Sequence, residues 1–296
     1  MHLRPVRRVA SERFRPSRLP GEPRVVTGLV ETWPACARWT PDYLERTAGD
    51  ATVNVHRRMG APRNFGQAYA EDGSLTFREY LEWVLETSAE YEDLRGRTLA
   101  PGEIVDIIEE AGFEESYSLD TPLASLSEDL MRDVDVPQWY GVAPSSIVLW
   151  CSIFGNSSGL HFDMSPNCNV QVRGRKHFVL FAPAQTRFLY RYPQPDAHCA
   201  FDPTKPDFER FPRAHDAEGF ECTLEEGEAL YLPMGWYHQV TVVSPWALNV
   251  NFWWPRPFPQ GLVTPSAWPQ LVWRARRSVS AALARVVRRP ALVRAP

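Results

Sequence analysis

The sequence predicts an α+β chain with a β-sandwich or β-barrel core. Three observations point there. After residue 145, at least five short β-rich runs follow one another without an intervening helix, punctuated by Gly, Pro and Asn. Before residue 145, apolar residues recur at helical spacing in several segments. The chain holds 27 prolines and 11 tryptophans in 296 residues, a composition of ordered loops around an aromatic core that argues against a helix bundle.

Taken in order, "EPRVVTGL" (22–29) reads as a short strand. "WTPDYLERTAG" (39–49) reads as a helix capped by Thr40, with Pro41 in its first turn and Gly49 at its end. "ATVNVHRR" (51–58) alternates like a strand. "LTFREYLEWVLET" (75–87) places Leu75, Phe77, Tyr80, Leu81 and Val84 on a helical stripe, with Thr76 as cap. "PGEIVDIIEEAG" (101–112) and "PLASLSEDLMRDV" (122–134) read as two further helices. The β-rich runs are "SSIVLWCSIFG", "NCNVQVRGRKHFVLFAP", "ALYLP", "HQVTVV" and "ALNVNFWW". A last helical stretch, about 267–289, would cap the core. The organisation expected is a basic arm at 1–20, one catalytic-size domain at 21–259 with its barrel at about 145–255, and a basic helical extension at 260–296.

A hydrophobic content of 44% excludes a disordered chain. No apolar run is long enough to span a bilayer, and the basic start lacks the apolar stretch of a secretory signal, so a cytoplasmic location is expected. The five cysteines are odd in number and widely spaced, with no CxxC, which fits free thiols. The net charge of −4 is uneven: residues 1–18 carry +5, residues 260–296 carry +7, and the body between them −16. The basic ends lack interleaved aromatics, so they give no strong nucleic-acid signal. Only Lys176 and Lys205 are lysines, against 30 arginines, so a lysine here is informative.

In "SSGLHFDMSPN" (157–167), His161 and Asp163 are two apart and would project from one face of a strand, with Phe162 turned away. Two histidines and one carboxylate with open positions mark non-haem Fe(II) oxygenases. Among the seven histidines, His2 falls at a frayed end and His198 and His215 in a Pro- and Asp-rich loop region. His238, between two apolar strands in "GEALYLPMGWYHQVTVV", reads either as a hydrogen-bonded core histidine or as the third ligand. Lys176 lies on a strand apolar on both faces and must either snorkel out or pair with an anion. A compact ammonium binding one carboxylate is a reason for lysine in an arginine-preferring chain. Asn251, among large apolar residues, is either a ladder-end cap or a pocket wall.

These residues carry a resemblance. "NSSGLHFDMSPNCNVQVRGRKHFVLFAP", "EGEALYLPMGWYHQV" and "ALNVNFWW" resemble the Jumonji C, cupin-like family of Fe(II)- and 2-oxoglutarate-dependent oxygenases. They are especially similar to its hydroxylase branch, which includes the asparaginyl hydroxylase that inhibits hypoxia-inducible factor. "PGEPRVVTGLVETWPACARWTPDYL" extends the resemblance upstream, to roughly residues 20–255. HxD alone is a weak signal; HxD with Lys thirteen residues on, "LYLPxGWYHxV" and "NFWW" is a strong one. The resemblance implies a double-stranded β-helix with iron on His161, Asp163 and His238. It implies Lys176 on the distal carboxylate of 2-oxoglutarate, Ser158 (where the family often has Thr) and Tyr117 reaching the same group, and Asn167 and Asn251 as polar pocket residues.

The expected chemistry is hydroxylation of an unactivated C–H in a protein or peptide side chain, with succinate and CO₂ as coproducts. The alternatives are an oxygenase for a small metabolite or natural-product peptide, and a cupin-like binding module without turnover. The C-terminal stretch reads as a homodimerisation helix, as a monomer's cap, or as a basic amphipathic helix lying on a membrane surface. If it drives dimerisation, truncation at residue 260 halves the mass by sedimentation; loss of only the deleted segment's mass refutes the dimer.

Overall fold

A computed structural model describes residues 1–16, 21–59, 69–99, 103–104, 106–107, 115–193 and 197–255. Two β-sheets face one another as a double-stranded β-helix of cupin type, with helices on one outer side. Their strands are β1 (His2–Pro5), β2 (Arg8–Ala10), β3 (Arg24–Thr27), β4 (Thr52–Met59), β5 (Tyr69–Thr76), β6 (Glu115–Pro122), β7 (Ser146–Ile153), β8 (His161–Phe162), β9 (Asn167–Arg173), β10 (Lys176–Phe181), β11 (Glu218–Leu224), β12 (Ala229–Leu232), β13 (Tyr237–Val242) and β14 (Trp246–Trp253). The smaller sheet runs β1-β11-β10-β13-β8 and the larger β2-β3-β12-β9-β14-β7-β6-β4-β5.

Alternation along the strands separates core from cavity. On β14, Leu248, Val250 and Phe252 join the main apolar cluster, while Asn249, Asn251 and Trp253 line a cavity. β9 repeats this with Cys168, Val170 and Val172 against Asn167 and Asn169; β7 repeats it with Leu149, Cys151 and Ile153 against Trp150 and Ser152. The larger sheet therefore has one greasy and one polar face. A second cluster, including Phe178, Leu180, Leu230 and Trp236, fills space between the sheets.

The helices cover the greasy face. They are α1 (Pro34–Arg38), α2 (Pro41–Ala48), α3 (Phe77–Ser88), α4 (Leu123–Leu126) and α5 (Glu128–Arg132). Thr40 accepts from the Tyr43 amide at 3.3 Å to open α2. Thr76 and Glu79 form a reciprocal capping box on α3, which buries Phe77, Tyr80, Leu81 and Val84. Asp133 is buried just after α5 and accepts from Trp39 Nε1 at 3.0 Å, Tyr43 Oη at 2.6 Å and Arg38 Nη1 at 3.1 Å. It ties α1 and α2 to the end of α5.

Several expectations are corrected. The helix expected over 122–134 is two short helices, broken where Ser127 is extended (φ −165°, ψ 140°) and its hydroxyl caps α5. Its first residue, Pro122, ends β6 instead. His2 is not frayed: β1 pairs in parallel with β11, and His2 stands opposite Glu218. β2 likewise pairs in parallel with β3. Most of the stretch expected as a helix over 101–112, and all of 267–289, lie outside the described residues. Among the described residues no helix is long and apolar enough to cross a membrane.

Replacing Asp133 with alanine would strand the buried indole donor of Trp39 and the part-buried hydroxyl of Tyr43. The expected loss is about 3 kcal/mol in urea-induced unfolding. A loss below about 1 kcal/mol would show that the helical layer does not depend on this carboxylate.

Candidate metal centre

Two strands bring the two histidines together. β8 pairs antiparallel with β13 so that His161 stands opposite His238, their ring centroids 4.3 Å apart. Asp163 follows β8 and presents its carboxylate to the same point, 4.0 Å from His238 Nε2. One ligand atom from each of the three lies within 4.8 Å of the others, the one such group among the described residues. Sequence spacing placed His161 and Asp163 on one face; the β8–β13 register resolves His238 as their partner.

The surroundings orient all three side chains for a cation. His161 Nδ1 lies 2.9 Å from the Gly159 carbonyl, and His238 Nδ1 lies 3.1 Å from the Trp236 carbonyl. A carbonyl only accepts, so each Nδ1 carries a proton, and Nε2 is the atom each ring has to offer a cation. Trp253 Nε1 and Asn167 Nδ2 donate to Asp163 Oδ2 at 3.0 and 3.2 Å. Burial by itself would raise the Asp163 pKa, but His238, His161 and these two donors outweigh it and hold it below the ordinary carboxylate value. His238 is pushed down to about 4, chiefly by burial and then by His161, so its imidazole is neutral at neutral pH. Neutral imidazoles and an ionised carboxylate are the protonation states a divalent metal requires. The donor set fits Fe(II) of the two-histidine, one-carboxylate type.

A cavity of about 370 Å³ opens from this point between the sheets. Ser158, Asn167, Lys176 and Asn251 all line it. Lys176 does not snorkel: it is 6% exposed, and its ammonium donates to Asn249 Oδ1. Asn249 Nδ2 then donates to Asn251 Oδ1 at 2.6 Å. The directions are chemically forced, because an ammonium has only donors and so fixes the Asn249 amide. Burial lowers Lys176 to about 8, opposed slightly by Cys151. Gly174 positions the ammonium by turning β9 into β10 at φ +67°, where a Cβ would meet the Trp246 carbonyl oxygen at 2.1 Å.

Other expected contacts fare differently. The Ser158 hydroxyl accepts from the Val240 amide at 3.1 Å and donates to the Gly159 carbonyl, so it also ties β13 to the segment before β8. Tyr117 sits on β6 opposite Arg57, and its side chain lies outside the described residues. Sequence reading missed Asn249, though its two-residue spacing from Asn251 placed both on one face. It also missed His198, whose ring stacks on His161 at 5.2 Å and which lines the cavity from a distant loop. No local pattern announced that contact.

Comparison with known proteins agrees with this site. A model of the cupin-like domain family matches residues 10–260. The chain is 28% identical over 251 residues to lysine-specific demethylase 8 of Xenopus tropicalis, covering 82% of this chain and 50% of that protein. It is 28% identical over 257 residues to the tRNA wybutosine-synthesizing protein 5 of Gallus gallus, covering 83% and 74%. It is 27% identical over 258 residues to the human bifunctional peptidase and (3S)-lysyl hydroxylase JMJD7, covering 79% and 78%. The chain spans about half the length of the lysine-specific demethylases it matches. From the triad, the paired sheets and the matched residues together, the chain belongs to the cupin-like domain family, within the Jumonji C and cupin superfamily of Fe(II)- and 2-oxoglutarate-dependent oxygenases.

Proposed function

We propose that this chain is a Fe(II)- and 2-oxoglutarate-dependent dioxygenase that hydroxylates an unactivated C–H of a protein or peptide side chain. The observation that carries this reading is the pairing of a two-histidine, one-carboxylate centre with a buried lysine in one cavity. His161, Asp163 and His238 would hold the iron. Iron, when bound, would supply the Lewis-acid and redox chemistry by which O₂ oxidises both partners, one oxygen atom entering succinate as 2-oxoglutarate loses CO₂ and the other entering the C–H as a hydroxyl.

This chain's residues bind, orient and exclude. Lys176 would take the distal carboxylate of 2-oxoglutarate, which replaces the neutral Asn249 amide as its partner. Asn251, already oriented by Asn249, and Asn167, oriented by Asp163, would present amides to the cosubstrate. Ser158 and Tyr117 are proposed as hydroxyl contacts to the same carboxylate. Phe178, Val240 and Val242 line the cavity and limit water around the ammonium.

Two of the three relatives have names that place their chemistry on lysine, which supports a side-chain substrate. An aspartate at position 163, where demethylases of the resembled family more often have glutamate, supports hydroxylation over demethylation. The name of the third relative points to tRNA. The −16 charge on residues 19–259 opposes a polyanionic substrate and favours a peptide. The cytoplasm is the location proposed.

With Fe(II), 2-oxoglutarate and a peptide library, the wild type should release succinate and His161→Ala should not rise above background. Succinate at wild-type rates from His161→Ala would remove the metal centre from the mechanism. Trp253→Phe loses one of the hydrogen bonds holding Asp163 and should weaken Mn(II) binding roughly 10-fold in an electron paramagnetic resonance titration. Unchanged affinity would show that the indole does not support the centre.

The pH dependence of cosubstrate binding has a defined sign. Below about pH 8 the free Lys176 is charged and affinity is flat. Above it, the proton must be supplied on binding, so the Kd for 2-oxoglutarate in the Mn(II) protein should rise about 10-fold per pH unit. Lys176→Arg should bind more weakly but lose this break near pH 8. A break that persists in Lys176→Arg would assign the titration to another group.

A further inference from the structure

A second cavity, of about 340 Å³, lies at the other end of the barrel from the metal centre. Three connections between strands build it. Arg173, Gly174 and Arg175 come from the β9–β10 turn, Glu225 and Glu226 from the β11–β12 turn, and Ser244, Pro245 and Trp246 from the β13–β14 turn. Arg95 and Gly96 close it from the segment after α3. Asn167, which holds Asp163, and Arg173 are the two ends of β9, roughly 20 Å apart by strand rise. No described residue lines both cavities.

The wall carries cations that the fold does not neutralise. Arg175 is only 9% exposed. Its Nη2 donates to the carbonyls of Leu94 and Arg97, which bracket the lining residues Arg95 and Gly96. Nε and Nη1 have no acceptor among the described residues, and neither atom is sealed from solvent. Arg173 gives Nε to the Trp39 carbonyl and Nη1 to the Val172 carbonyl, which leaves Nη2. Neither guanidinium forms an ion pair with a described carboxylate. Arg95 differs, because Glu92 accepts from its Nε and Nη2 at 2.6 Å each. A buried guanidinium held by carbonyls alone is costly, and a planar carboxylate is the group its paired N–H donors match. A side chain needed only to staple Leu94 to Arg97 would use a single nitrogen.

The rim has the opposite sign. Glu225 and Glu226 are exposed there, and the Gly174 amide fixes the Glu226 carboxylate at 2.6 Å. Neither acid forms an ion pair with a described cation, so the cavity sets two unneutralised acids against two unneutralised guanidiniums. A ligand with a second negative charge would be repelled by the rim, and a cationic nitrogen would be drawn to it. Pro245 and Trp246 add an apolar wall. We propose that this cavity is a second binding site, for a small zwitterion of the amino-acid class. Its carboxylate lies on Arg175 and Arg173, its ammonium faces Glu225 and Glu226, and its side chain rests on Pro245 and Trp246. The cavity's volume falls within the range of small-molecule sites, about 300–1,000 Å³. The site stands apart from the metal centre and from the function proposed for it.

The test uses the full chain with Mn(II) and excess 2-oxoglutarate, so that carboxylate affinity in the first cavity is saturated. Leucine, acetate and inorganic phosphate are titrated by calorimetry. Arg175→Gln keeps an amide donor for the two carbonyls and removes the charge. Arg173→Ala removes the more exposed cation. Glu226→Gln keeps an acceptor for the Gly174 amide and removes the acid. Melting temperature and the affinities for Mn(II) and 2-oxoglutarate report whether each variant retains the frame.

Leucine should bind with a Kd of about 0.1–10 mM, at least roughly 10-fold tighter than acetate, and phosphate more weakly still. Arg175→Gln should weaken leucine about 10-fold or more and Arg173→Ala about threefold or more, with Mn(II) and 2-oxoglutarate affinities within about twofold of wild type. Glu226→Gln should weaken leucine and not acetate. If Arg175→Gln fails to fold, the other two variants decide. No saturable leucine binding up to about 20 mM would overturn the inference and leave Arg175 a staple for two carbonyls. Leucine binding that is equal in wild type and every folded variant would overturn it by placing the ligand elsewhere. Equal affinity for leucine and acetate, or tighter binding of phosphate, would overturn the zwitterion as the ligand class.

Discussion

A buried ammonium is the constraint around which this barrel is arranged. Lys176 points between two sheets and is bonded to an amide rather than a carboxylate. Holding it charged at neutral pH, with its pKa lowered from 10.5 to about 8, costs on the order of 3 kcal/mol. A leucine there would remove that cost. The expense is tolerable because the inner faces of β9 and β14 are rich in asparagine and the outer faces are greasy. The fold satisfies the ammonium with a polar lining while keeping its stability in the helix-covered cluster on the other side of the same strands. A cavity that retains a cation with no anionic partner among the described residues is preorganised for an anionic ligand.

The same economy governs the metal centre. β8 is only two residues long, yet its pairing with β13 fixes both imidazoles, because register in an antiparallel ladder leaves no freedom along the strand. Backbone carbonyls then select the tautomer of each ring, and an indole and an amide orient the carboxylate. The indole and the amide come from β14 and β9, the strands that also carry Asn249, Asn251 and Asn169. Metal site and ammonium therefore share one scaffold, and a shift in β14 would disturb both.

Much of this was legible in the sequence because it depends on period. The alternation in "NCNVQVR" and "ALNVNFWW" shows which residues share a face, and His161 and Asp163 are two apart. Helix caps at Thr40 and Thr76 were readable because their chemistry is local. The strands that escaped were those whose partners are distant or whose sequences are polar. β1 and β2 are edge strands paired in parallel with segments far along the chain or across a loop. β5 ("YAEDGSLT") and β6 ("ESYSLDTP") carry too few apolar residues to signal a strand, and gain their place by extending the large sheet. Helical periodicity over 122–134 was real, but Ser127 satisfies α5 as a cap and so divides it. His198 was invisible for a different reason: its ring contact is tertiary and rests on a bridge eight residues wide.

That difference separates two kinds of information in the molecule. Residues on β8, β9, β10, β13 and β14 are constrained on both faces, by apolar clusters on one side and by the mixed polar and apolar cavity lining on the other. A change there is felt across the frame. The segment between β10 and β11 has its own small core, in which Leu189, Cys199, Phe201 and Ala214 pack with Tyr237, and two of its residues, Ala197 and His198, line the cavity. Substitution at Ala197 or His198 alters the wall facing an incoming group while leaving the ladders untouched. A superfamily that keeps one metal frame can therefore vary its substrates through such a loop, and the place to look for what this chain oxidises is the loop rather than the triad.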